Sequence, residues 1–196
     1  MKLSTRKKTI LTAILAGFAT PVLAHTGHGL VTGFIDGVMH PLGGMDHLLI
    51  MLAIGLWATL LGGAAVWRMP LAFLAMMSIG AMGAASGIAL PAPERAIELS
   101  LVIMGVLLWS RHRLKALPAM SVAGSFALFH GFVHANEITT GSDGLAYGLG
   151  FLATTASLHA SGILLGLTAS RWSKIFVFKA FGTLCSAVGA YLLVTG

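Results

Sequence analysis

His40-Pro41-Leu42-Gly43-Gly44-Met45-Asp46-His47 stands at the head of a long apolar run, and Leu48 through Leu61 carries no charge. A segment of that kind enters a bilayer or lies at its edge, where imidazole and carboxylate groups are costly and mark function by default. Asp46 and the two histidines fall within eight residues, beside one proline and two glycines. Helix-breaking residues next to ligand-type side chains predict a broken membrane helix built around an ion.

Composition agrees with a bilayer location. Hydrophobic residues make up 57% of the chain and charged ones 9%, with a mean hydropathy of +0.90; a soluble domain carries about 25% charge. At about 20 residues per spanning helix, 196 residues allow several spans and no sizeable soluble domain. The 25 glycines suit close helix packing in lipid, where small residues let backbones approach. The formal charge of +6 is no nucleic-acid signature, because Lys2, Arg6, Lys7 and Lys8 belong to a leader and the rest carries 8 basic against 6 acidic residues. The single cysteine, Cys185, has no partner for an internal disulfide and reads as a small packing side chain.

The amino terminus has the pattern of a secretory signal peptide over residues 1–24: a basic stretch from Lys2 to Lys8, an apolar run from Ile10 to Ala19, and Val22-Leu23-Ala24 as a cleavage site. An uncleaved anchor is the alternative. Residues 25–196 then form a six-span membrane domain, with apolar runs near 30–62, 69–90, 95–110, 118–136, 144–169 and 175–195. The connections alternate in charge. Arg68, the Arg111-His112-Arg113-Lys115 group, and Arg171 with Lys174 follow the odd spans, while Glu94 with Arg95, and Glu137 with Asp143, flank the others. The positive-inside rule places the first set in the cytoplasm and both mature termini outside.

The first run is too long for one straight span, since about 32 residues at 1.5 Å each reach roughly 48 Å against a core near 30 Å. We therefore expect a short leading helix near 30–40, a break at Pro41–Gly44, and a full span from about 45 to 62. Both halves of three spans open with a His-rich span, a hint of an inverted repeat.

The ionisable residues form a ladder. His130, His134 and Glu137 are spaced i, i+4, i+7 and share a helix face. Asp36 and His40 are also four apart, while Asp46 and His47 converge on one site only where the backbone unwinds. His159 falls at or below the middle of the fifth span and reads equally as a ligand or a structural histidine. Glu94 reads by position as a solvated helix-start carboxylate, with Glu98 one turn deeper. His25, His28 and Asp36 are candidates for outer capture, and Met51, four residues after His47, is a candidate soft ligand. Imidazole and carboxylate ligands suit Ni²⁺, Co²⁺ or Zn²⁺, whereas Cu(I) favours thiolates. Ligands at several depths describe a path.

The pattern His40-Pro41-x-x-Gly44-x-Asp46-His47-x-x-x-Met51 resembles the HupE/UreJ family of hydrogenase- and urease-accessory membrane proteins. Phe129-His130-Gly131 through His134 and Glu137, and Leu158-His159 with Gly162, are similar to that family's patterns as well. The resemblance covers the chain after the leader. It implies an inner-membrane, multi-pass secondary permease for Ni²⁺ or Co²⁺, serving hydrogenase or urease accessory proteins and using no catalytic cofactor. It favours His40, Asp46, His47, His130, His134 and Glu137 as metal-handling residues, and Glu94 as the outer acid. The competing reading is a zinc-dependent intramembrane hydrolase, with His130, His134 and Asp46 or His159 around Zn²⁺, or with Ser86 as a nucleophile.

Overall fold

A computed structural model describes residues 33–111, 113–138, 142–171 and 175–196. The leader and its cleavage site, together with His25 and His28, lie outside the described residues. Seven helices account for nearly all of the rest: α1 (Phe34–Gly43), α2 (Met45–Leu61), α3 (Ala65–Ala85), α4 (Pro93–Ser110), α5 (Ala116–Asn136), α6 (Gly144–Arg171) and α7 (Ile175–Thr195). No strand occurs among the described residues.

The first apolar run is broken as its length demands. The break falls at Gly44, whose φ of −105° and ψ of 127° are extended, and α1 meets α2 at 86°. Pro41 does not end the helix: it lies inside α1, one turn from the break. Its missing N–H costs the helix one internal bond, which a ten-residue segment near its end tolerates.

α3, α5, α6 and α7 are long and apolar enough to cross a membrane, and α1 with α2 qualifies as one broken span. Helix α4 stands apart because Glu94, Arg95 and Glu98 crowd its first two turns. Large apolar side chains such as Ile35, Trp67, Leu71, Leu117, Leu145, Leu164 and Val194 are exposed, as a lipid-facing surface requires. Trp57, Met69, Phe73, Leu101, Met104 and Leu108 fill the interior. These features describe a multi-pass membrane protein.

Glycines set the helix pairs. A Cβ on Gly55 would strike the carbonyl of His159, and one on Gly162 would strike that of Leu52, so α2 and α6 touch backbone to backbone. In the same register, a Cβ on Gly131 would strike the carbonyl of Met77 and one on Gly80 that of Leu128, which joins α3 to α5. Leu52 and Gly55 therefore stand to His159 and Gly162 as Leu128 and Gly131 stand to Met77 and Gly80. Helices α4 and α7 cross through Gly105 and Gly182, each against the other's carbonyl. One crossing thus occurs twice, and a third is its own counterpart. That arrangement relates the helices α2–α4 to α5–α7. It also leaves α2 and α5 facing each other with their histidines between them.

Candidate metal centre

The break at Gly44 is what makes the site. It starts α2 with Asp46 and His47 in the first turn, and a Cβ at position 44 would sit 2.6 Å from Asp46 Oδ1 and 2.8 Å from His47 Nδ1. Only a glycine leaves room for that pair. No unwinding beyond Gly44 is needed to bring the two together: Asp46 accepts a hydrogen bond from His47 Nδ1 at 2.7 Å. This turns the His47 Nε2 atom toward α5.

There it meets His134 Nε2 directly. His134 in turn directs Nδ1 to Glu137 Oε2 at 2.9 Å, and the same oxygen lies 3.3 Å from His40 Nε2. His40, His134 and Glu137 each offer a ligand atom within 4.8 Å of the others. The ring centres of His40 and His47 lie 4.6 and 4.3 Å from that of His134. His40 and Glu137 keep 25% and 29% of their side-chain surface exposed, whereas His47 and His134 keep 3% and 4%. The cluster is therefore a funnel, with its carboxylate and one imidazole at the mouth and two imidazoles inside.

Asp46, His47, His134 and Glu137 form a chain of three contacts. A divalent ion could sit between the two Nε2 atoms. Each Nδ1–H would then be held by a carboxylate, the arrangement that fixes tautomer and strengthens an imidazole ligand.

The expected His130–His134–Glu137 face divides at this point. His134 and Glu137 belong to the cluster, while His130 is fully buried one turn deeper, 5.5 Å ring to ring from His47, and bonds its own helix at Phe126 O. His159 is buried against α2, where Met51 contributes its carbonyl rather than a sulfur ligand. Asp36 lies one turn before His40 in α1. Glu94 is exposed in the first turn of α4 and is not brought into the cluster, and Glu98 pairs with Arg95 at 3.3 Å. Ser86 is exposed and donates its hydroxyl to Met82 O. Tyr147 and Phe151 wall the cluster, their rings 6.0 and 5.7 Å from that of His40. Sequence reasoning missed both, because aromatic residues in an apolar run carry no signal of their neighbours.

The HupE / UreJ protein family matches residues 13–192. Among curated proteins, "Protein HupE" of Rhizobium leguminosarum bv. viciae is 41% identical over 191 residues, covering 96% of this chain and 99% of that protein. No solved structure matches the chain. With a family match over residues 13–192 and a curated relative 41% identical over nearly its whole length, the chain belongs to the HupE/UreJ family.

Proposed function

We propose that this protein is a six-span inner-membrane permease that admits Ni²⁺ or Co²⁺ to the cytoplasm, for use by hydrogenase or urease maturation. The observation that carries the reading is the opposed pair of Nε2 atoms on His47 and His134, each ring backed by a carboxylate. Metal–nitrogen bonds of about 2.1 Å would hold two such nitrogens roughly 3–4 Å apart.

In this reading α1 with α2 forms the first span, and α3 through α7 form the other five. Helix α4 has 18 residues, or about 27 Å of rise, close to the hydrocarbon thickness of about 30 Å. Its acidic start then lies in the outer interface, where Glu94 attracts cations before they reach the funnel. Membrane potential supplies the drive: two charges crossing 100 mV gain about 4.6 kcal/mol. Uptake needs no catalytic group, and the exposed Ser86, bonded within its own helix, gives the serine version of the hydrolase reading no support.

The test is radioactive nickel and cobalt uptake by cells expressing the protein. Wild type should accumulate metal above background. Asp46→Asn and His47→Ala, at equal membrane abundance, should fall to within a few per cent of it. Normal uptake by both variants would remove this cluster from transport.

A further inference from the structure

Below the outer cluster, three buried polar atoms have no hydrogen-bond partner: His130 Nε2, His159 Nε2 and Thr155 Oγ1. Both imidazoles spend their other nitrogen on a backbone carbonyl. His130 Nδ1 lies 2.8 Å from Phe126 O, and His159 Nδ1 lies 2.7 Å from Met51 O. A carbonyl only accepts, so in each neutral ring Nδ1 carries the hydrogen and Nε2 is a bare lone pair. Leaving such atoms buried and unpaired costs stability, and folded proteins seldom do so without a use for them.

Thr155 is unusual among its neighbours. Ser157, Ser161 and Thr168 on the same helix all return their hydroxyls to the carbonyl four residues back. Thr155 does not, although it is fully buried. It precedes His159 by one turn and shares its face of α6. The rings of His130 and His159 both lie against Phe73, at 5.9 and 5.0 Å, and His130 follows His47 at 5.5 Å. The two rings with unspent nitrogens therefore border one aromatic side chain, next to His47 of the outer cluster. No carboxylate bonds either ring among the described residues.

We propose that His130 Nε2, His159 Nε2 and Thr155 Oγ1 form a second, carboxylate-free station for a borderline divalent cation, inward of the His40/His47/His134/Glu137 cluster. This rests on the permease reading and adds to it a selecting step. Neutral imidazole nitrogens suit Ni²⁺, Co²⁺ and Zn²⁺, whereas Mg²⁺ and Ca²⁺ require oxygen ligands. Without a counter-charge the station holds the ion weakly, which favours release over trapping.

His159→Asn separates this role from a structural one. The asparagine amide can still donate to Met51 O from the place of Nδ1, but nothing replaces Nε2. The purified variant should melt with wild type and bind Ni²⁺ at the outer cluster within about twofold of wild type by calorimetry. Its initial rate of Ni²⁺ uptake should fall at least tenfold. Thr155→Val, of the same shape and lacking the hydroxyl, should stay folded and slow uptake severalfold. If His159→Asn transports like wild type while His159→Gln, which abandons the Met51 bond, is the variant that loses stability, the histidine is structural and the station is refuted. Should His159→Asn fail to fold, unchanged uptake by Thr155→Val and His130→Asn refutes it equally. Loss of uptake in His134→Ala with normal uptake in these inner variants would overturn the station and leave the permease reading intact. Absence of uptake by wild type would overturn both.

Discussion

Replacing Gly44 by alanine isolates the contribution of the Asp46–His47 pair without touching either residue. The backbone at position 44 suits alanine, with φ at −105°, so the helix break need not move. The new methyl, however, would lie 2.6 Å from Asp46 Oδ1 and 2.8 Å from His47 Nδ1, where ordinary contact begins at 3.4 Å. Carboxylate and ring must retreat by roughly 0.6–0.8 Å, and a 2.7 Å hydrogen bond stretched by that much passes the limit of a useful bond. Losing the carboxylate behind a metal-binding histidine costs about 10–100-fold in affinity, or roughly 1.4–2.7 kcal/mol. Calorimetric titration of purified Gly44→Ala with Ni²⁺ should show that loss, with its melting temperature near wild type. Gly43→Ala is the control, since nothing lies within 4 Å of a Cβ there, and it should bind as wild type does. Wild-type affinity in Gly44→Ala, or an equal loss in Gly43→Ala, would refute the reasoning.

The helix crossings make a different demand: Gly131→Ala drives a Cβ into the backbone carbonyl of Met77, which cannot swing aside, and should cost about 1–3 kcal/mol. Its melting temperature in detergent should drop by several degrees, whereas Gly148→Ala, with open space around it, should melt as wild type. For the proposed orientation, a reporter fused after Gly196 should be non-cytoplasmic and one inserted near residue 112 cytoplasmic, as alkaline phosphatase and fluorescent-protein fusions would reveal.

Much of the site was legible because membrane chemistry is sparse. In a chain with 9% charged residues, the histidines and acids near a Pro-Gly break stand out, and the break itself follows from a run longer than the bilayer. Periodicity placed His134 and Glu137 together correctly. It could not separate His130 from them, because a shared helix face says nothing about which partner helix each turn meets. The contact of Asp46 was not legible for a related reason: the pattern reveals that a carboxylate neighbours a histidine, while only coordinates reveal which ring nitrogen it meets. Gly44 was legible as a hinge but not as clearance for a side-chain pair. Glycine count suggested close packing, whereas the two matching crossings emerge only when Gly55, Gly80, Gly131 and Gly162 are paired with the carbonyls they touch. In helix α4, Glu94, Arg95 and Glu98 offset the apolar remainder, a balance that the run 95–110 taken alone conceals.

Metal flux by the purified protein alone tests the central claim most directly. Proteoliposomes enclosing a nickel-responsive dye and holding an inside-negative potential should show Ni²⁺ entry that saturates with concentration. Entry should collapse in His134→Ala and in Asp46→Asn, without loss of folded protein. Purified protein that holds stoichiometric zinc tightly and passes no Ni²⁺ or Co²⁺ would contradict the account.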